Sequence, residues 1–471
     1  MTCKSFSIIV TSDVHGEYGR LQTIAQHVAQ KKPDLLIDNG DLLQGGFTHM
    51  YDNAHNARSQ LIDVANAMGY DALIIGNHEF NEAPQRFAKL REQSNFPWIS
   101  CNVGDFAQPY IVKHIHGLRV VVLGVTTHFT PKWDERGYTE HVSFQQAAQA
   151  VKEQLPIIRA KEQPDFVIVS YHGGFQQDPS GAWQFDDGSG ENEAEKLLQI
   201  EGIDLLITGH QHMRFSGHEN GVTYVQPGSH SYSYAEITVQ QIDDGWAVMP
   251  IIHNVTEEQP LPEAVQMWLD EDVGTLPQSY TYDGLLDVMI HGHPYVDWFH
   301  TFQRAISGAQ ISVTELFFNE AGGLPQHVKR QHILRACGRD NVLVTMSMSG
   351  AAIKRAIEES MAVLAMHPNG QLDYALNVYP NTLQPYQFDF FGGVTYTCKW
   401  DARAYARVSN VYVGSEPMRD DAYYTVAVNS YRALGNAPYA MYGEATELRR
   451  TEETIPVLLE TFIKERVTIS G

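Results

Sequence analysis

Five short polar blocks punctuate the first half of this chain, each placed directly after a run of aliphatic and β-branched residues. They are Asp13-Val14-His15, Gly40-Asp41, Gly76-Asn77-His78-Glu79, His172-Gly173-Gly174 and Gly209-His210-Gln211-His212. The runs before them, Ser7–Thr11, Asp34–Ile37, Ala72–Ile75, Phe166–Val169 and Asp204–Ile207, have the length and composition of strands. Between the strands, Leu21, Ile24, Ala25 and Val28 share one helical face, as do Leu61, Val64, Ala65 and Met68. Strand, polar loop and helix recur in that order, which is the pattern of stacked α/β layers. Polar side chains that always follow a strand converge at one edge of a sheet, where such folds bind their ligands.

A chain of 471 residues exceeds what one core supports, so two domains are expected. From Gly221 the helices stop, and Val222–Val225, Tyr234–Val239 and Trp246–Met249 are expected to close a second sheet. A Glu- and Pro-rich break follows. The expected division is a catalytic domain over residues 1–255, a linker over 256–277 and a smaller α+β domain over 278–471.

The formal net charge of −23 opposes binding to polymeric nucleic acid, which rests on Lys and Arg neutralising phosphates. A small anionic substrate is compatible with it, because bound divalent cations reverse the field locally. No apolar run reaches the roughly 18 residues of a membrane span, so no membrane partner is expected. The N-terminus enters its first strand at once, which gives a cytoplasmic address as the expectation. Cys3, Cys101, Cys337 and Cys398 form no Cys-x-x-Cys pair and are expected as reduced thiols.

The blocks supply a metal centre. Asp13 and His15 stand two apart, so in an extended segment both point to one side. Asp41 follows a glycine, and a lone carboxylate with two oxygens is the natural bridge between two cations. Asn77 offers a carbonyl oxygen, and His172, His210 and His212 offer nitrogens. Asp13, His15, Asp41 and His212 are therefore assigned to one cation, and Asp41, Asn77, His172 and His210 to the other. Mixed N/O ligation without thiolate suits Mn, Zn, Fe or Co better than Mg or Ca. The pairs His114/His116 and His291/His293 have the spacing of ligands but lack the flanking Gly-Asp or Gly-Asn, and are expected on solvated faces.

These blocks resemble those of the calcineurin-like metallophosphoesterases. The C-terminal part resembles the substrate domain of the 5'-nucleotidase and 2',3'-cyclic-nucleotide 2'-phosphodiesterase family, through Tyr386-Gln-Phe-Asp-Phe-Phe-Gly-Gly-Val394, Met348-Ser-Gly350 and Asn429-Ser-Tyr-Arg-Ala-Leu-Gly435. The resemblance implies a four-layer αββα catalytic sandwich and a two-cation hydrolysis of phosphoester bonds in nucleotides. In that chemistry Asn77 binds phosphate oxygens and His78 stabilises developing charge and protonates the leaving oxygen. It further implies a base held between two aromatic rings, one from Phe388 or Tyr386 and the other from Tyr431, a contact worth roughly 1–3 kcal/mol and indifferent to base identity.

Two departures matter. Typical 5'-nucleotidases carry Glu-Phe-Asp where this chain has Glu79-Phe80-Asn81, and Asn81 orients His78 without adding charge. The resemblance at this place is to the cyclic-phosphodiesterase branch. An arginine supplied by Gly-Ile-Arg in many relatives is absent from Glu320-Ala-Gly-Gly-Leu-Pro325, and Arg330, Arg335, Arg339 and Arg432 are the candidates to replace it. The expected activity is that of a 2',3'-cyclic-nucleotide 2'-phosphodiesterase and 3'-nucleotidase. A 5'-nucleotidase is the alternative, and a non-catalytic nucleotide-binding protein the more distant one.

Overall fold

The computed structural model describes residues 4–177, 179, 188–317, 321–338, 341–375, 385–436 and 438–469, with side chains to residue 465. Arg339, Glu320 and Cys3 of the sequence expectations lie outside the described residues. The chain divides into two compact units, Met1–Gln266 and Met267–Gly471.

The first unit is built on β1 (Ser5–Thr11), β2 (Leu35–Asp38), β3 (Ala72–Ile74), β4 (Trp98–Ile99), β5 (Tyr110–Ile115) and β6 (Leu118–Thr126). It continues with β7 (Phe166–His172), β8 (Leu205–Thr208), β9 (Arg214–Glu219), β10 (Val222–Pro227), β11 (Ser233–Ile242) and β12 (Gly245–Asn254). One sheet has the order β12-β11-β1-β2-β3-β4 and the other β5-β6-β7-β8-β10-β9. The β1 to β4 neighbours are parallel, as are β6, β7, β8 and β10.

Alternation along the strands produces the layers. Phe6, Ile8 and Val10 of β1 and Leu35 and Ile37 of β2 meet Val120, Val122, Phe166, Ile168, Leu205 and Ile207 of the other sheet in a central core. The intervening Ile9 and Leu36 turn outward onto Leu21, Ile24, Leu61 and Ala65 of the helices Tyr18–Lys31 and Gln60–Met68. Val121, Leu123, Val167 and Val169 turn the opposite way, onto Val151, Leu155 and Ile158 of helix Ala147–Glu162. Each strand thus carries two apolar faces, and burial of each such side chain contributes about 1.5–3 kcal/mol. The result is the expected four-layer αββα sandwich.

One expectation about the sheets is corrected. Of the three strands expected to close the second sheet, only β10 joins it. β11 pairs antiparallel with β1 and β12 pairs with β11, so both extend the first sheet. An apolar strand pattern fits either edge, and here Ala235, Ile237 and Val239 fill the central core beside β1.

The second unit has a five-stranded sheet in the order Phe390–Gly392, Ile311–Thr314, Tyr423–Asn429, Val342–Ser349 and Thr446–Thr454. Helices Pro294–Ser307, Gly350–Ala362 and Ile455–Ile469 pack against it around one apolar core. Cys101, Cys337 and Cys398 are free thiols. Among the described residues no helix is long and apolar enough to cross a membrane.

Candidate metal centre

Every one of the five blocks ends a parallel strand: β1, β2, β3, β7 and β8 deliver them to the same edge. The loops are held by backbone pairing, Asp13 N–H donating to Gly40 C=O at 2.8 Å and His15 N–H to Asp41 C=O at 2.9 Å. Asp13, His15, Asp41, His210 and His212 all sit at positive φ, between 49° and 68°. This corrects the expectation of an extended Asp13-Val14-His15 segment. The side chains converge because the backbone curls, at a cost of order 1–3 kcal/mol for each such residue.

Gly76 lies so close to Asp41 that a Cβ there would overlap its carboxylate. Glu79, fully buried, accepts the N–H groups of Asp41 and Leu42 at 2.9 Å each and of Gly76 at 2.8 Å. It ties the second block to the third. Asp41 Oδ1 accepts the His78 N–H at 2.8 Å, so its other oxygen is the one turned toward the histidines.

Three overlapping groups of ligand atoms result, each within 4.8 Å: Asp13/His15/His212, His15/Asp41/His78 and Asp41/His172/His210. His15 Nε2 lies 3.0 Å from His212 Nε2, and His212 Nε2 lies 3.6 Å from Asp13 Oδ1. His172 Nε2 lies 3.1 Å from both Asp41 Oδ2 and Asn77 Oδ1. All seven expected ligands are thus brought together, with Asp41 central.

The tautomers make a cation fit. His15 Nδ1 donates to Gln44 C=O at 2.9 Å and His172 Nδ1 to Asn39 C=O at 2.7 Å, because a carbonyl only accepts. In its neutral ring His172 Nε2 is then a lone pair aimed at two acceptors, Asp41 Oδ2 and Asn77 Oδ1. Only a proton or a cation reconciles such a set. Burial alone would lower the His172 pKa, but Asp41 and then Asp13 outweigh it and hold it at about 10. Burial raises Asp13 to about 6. Asp41 stays well below its usual range: burial works against this, but His172, His78 and His15 prevail.

A metal that took His172 as a ligand would have to displace its proton. Below a pKa of about 10 the metal-free ring is protonated and the ligating ring is not, so rising pH removes the competitor. Manganese affinity of the stripped protein should climb by roughly tenfold per pH unit between about pH 7 and 9, the slope for one released proton. Calorimetric titrations at several pH values check this, and a flat profile would contradict it.

His78 begins a short 3₁₀ turn, His78–Asn81, and its Nδ1 meets Asn81 Oδ1 at 2.6 Å. Its Nε2 lies 4.0 Å from Asp41 Oδ2, and its side chain is 18% exposed where that of His172 is fully buried. The control histidines fall elsewhere. His116 pairs with Asp34 at the surface, His114 is exposed on β5, His291 is exposed beside Asp287, and His293 caps helix Pro294–Ser307.

The C-terminal candidates divide. Tyr386 and Tyr431 are half-buried, with ring centroids 6.2 Å apart and planes at 89°. Sandwiching a base requires one ring to rotate. Phe388 is corrected to a core residue: it is 2% exposed and packs on Phe390 with centroids 4.8 Å apart. Arg432 is corrected too. Its guanidinium is buried, lies 3.0 Å from Asp389 Oδ1 and donates to Tyr386 C=O at 2.6 Å. It braces the turn carrying Tyr386 and presents no charge to a phosphate. Arg330 is engaged by Glu271 and Glu460, and Arg335 is exposed.

Three contributors carry no block signature. Gln44 and Asn39 act through backbone carbonyls, for which no side-chain pattern exists. His230 stacks on His15, centroids 4.9 Å apart and planes at 26°, and its N–H donates to Asp13 C=O at 2.6 Å. The Gly228-Ser229 step before it is the one sequence hint.

Comparison with known proteins agrees with this geometry. The calcineurin-like phosphoesterase family matches residues 6–214, and the 5'-nucleotidase C-terminal domain matches residues 278–444. The chain is 23% identical to a 2',3'-cyclic-nucleotide 2'-phosphodiesterase/3'-nucleotidase of Haemophilus influenzae, over 88% of this chain and 75% of that protein. It is 28% identical to a 5'-nucleotidase of Vibrio cholerae over 43% of this chain and 39% of that one. A Staphylococcus aureus protein assigned to the 5'-nucleotidases, solved in complex with alpha-ketoglutarate, superposes with a TM-score of 0.88 at 26% identity, covering 98% of this chain and 96% of that one. The chain is a metal-dependent phosphoester hydrolase, and belongs to the calcineurin-like phosphoesterases through residues 6–214 and to the 5'-nucleotidase C-terminal domain family through residues 278–444.

Proposed function

We propose that this enzyme hydrolyses nucleotides as a 2',3'-cyclic-nucleotide 2'-phosphodiesterase and 3'-nucleotidase. The observation that carries the reading is the neutral Asn81 on His78 Nδ1, 2.6 Å away. Asn81 fixes the tautomer in which Nε2 faces the reaction, yet adds no negative charge to hold a second proton on the ring. A strained cyclic diester, whose ring-opening alkoxide leaves readily, needs less acid assistance than a monoester. The relative over most of the chain carries both activities in its name.

In this scheme Asp13, His15, Asp41 and His212 hold one divalent cation and Asp41, Asn77, His172 and His210 the other. Bound cations supply charge neutralisation and a water of lowered pKa. Asn77 would then contact a phosphate oxygen, and His78, in the form that also carries a proton on Nε2, would stabilise charge on the leaving oxygen. The N/O donor set suits Mn, Zn, Fe or Co.

The deciding experiment is a panel of 2',3'-cyclic AMP, 3'-AMP and 5'-AMP with Mn²⁺. The cyclic diester and 3'-AMP are expected to show the higher kcat/KM. A preference for 5'-AMP would establish the second reading, a 5'-nucleotidase, which the Vibrio cholerae relative favours.

We assign base stacking to Tyr386 and Tyr431. Tyr431→Ala should raise KM for nucleotides roughly 10- to 100-fold, from about 1–3 kcal/mol of lost stacking, and spare bis-nitrophenyl phosphate. Equal losses on both substrates would remove the assignment.

A further inference from the structure

The histidines of the centre are oriented in two different ways. His15 and His172 each donate Nδ1–H to a backbone carbonyl, Gln44 and Asn39 respectively, and present Nε2 to the centre. His210 is turned round: its Nε2 lies 2.9 Å from Glu191 Oε1, and a carboxylate only accepts. Nε2 therefore carries the proton, and Nδ1 is the lone pair. The His210 N–H donates to the Asp13 carboxylate at 3.0 Å and the ring lies against Trp133, centroids 5.1 Å apart, so backbone and ring plane are both held. His210 and Glu191 side chains are only 16% and 24% exposed.

The two ligand sets also differ in charge. The first has two carboxylates, Asp13 and Asp41. The second shares Asp41 and otherwise has the neutral Asn77. We infer that Glu191 is a positioning residue that fixes His210 as an Nδ1 ligand and lends the second cation the negative charge its own ligands lack. The inference rests on the ligand assignment proposed above. Carboxylates behind ligating histidines act in this way generally, and their loss costs metal affinity without removing a ligand. Glu191 lies in the Gly188-Ser-Gly-Glu-Asn-Glu193 segment, outside all five blocks.

The test is calorimetric titration of Mn²⁺ into the metal-stripped full-length chain, as wild type, Glu191→Ala and Glu191→Gln. Wild type should bind two ions. Glu191→Ala should weaken one step by roughly 10- to 100-fold and leave the other within about twofold. Glu191→Gln should fall between, since the amide oxygen still accepts the Nε2 proton but carries no charge. The melting temperature of the metal-stripped Glu191→Ala protein should match wild type, which excludes a folding defect as the cause.

Unchanged affinity in Glu191→Ala, or equal weakening of both steps, overturns the role. So does Glu191→Gln as weak as Glu191→Ala, the mark of a direct ligand. Wild type binding a single ion would sink the two-cation assignment instead. Glu191→Ala would still decide the inference on that one step, weakening supporting it and no change overturning it.

Discussion

Asp41→Asn is expected to abolish turnover, lowering kcat/KM on bis-nitrophenyl phosphate by roughly 10⁴-fold even in excess Mn²⁺. The side chain keeps its size and loses its charge. Asp41 belongs to two of the ligand groups, its Oδ2 lies 3.1 Å from His172 Nε2 and 3.9 Å from His15 Nε2, and the residue is 1% exposed. Two buried cations would then face each other without the carboxylate between them. Removing one partner of a buried charge set costs about 3–5 kcal/mol, the upper end of which is nearly 10⁴ in rate. Calorimetry should show fewer than two ions bound at millimolar Mn²⁺. An Asp41→Asn enzyme that binds two ions and turns over within about tenfold of wild type would rule out the bridging assignment.

His78→Ala separates chemistry from metal binding. His78 is close enough to His15 and Asp41 to be counted with them as a ligand group, yet its ring is tethered to Asn81 and partly exposed. As a group acting on the leaving oxygen, its loss should lower kcat by roughly 10²–10³-fold and leave both manganese steps unchanged. Loss of a bound ion would make it a ligand. The companion change Asn81→Asp keeps the hydrogen bond and adds charge, which should shift the ratio of kcat/KM values from 2',3'-cyclic AMP toward 5'-AMP. An unaltered ratio would disconnect Asn81 from specificity.

The legible part of this centre was its list of side chains. His172 ends a strand and Asp13, His15, Asp41, Asn77, His210 and His212 each follow one within a few residues, so local pattern was enough to place them at strand ends. How they converge was less legible. Asp13 and His15 share a direction because both adopt positive φ, which nothing in a two-residue spacing announces. The aromatic candidates show the same limit. Tyr386 and Phe388 stand two apart and read alike in sequence, but the 3₁₀ turn Pro385–Gln387 leaves one half-exposed and buries the other.

The sequence by itself determined the α/β layering, the set of candidate metal-ligating side chains and the neutral partner of His78, because all three are written in spacings shorter than one strand and its loop. Tertiary structure alone decided that β11 and β12 extend the first sheet, that Arg432 braces Tyr386 from within the core, and that Glu191 turns His210 round. Those outcomes depend on partners far along the chain: Asp389 for Arg432 and β1 for β11. Which acceptor a donor finds, and which edge a strand joins, is set by how the whole core packs, and local residue order does not encode it.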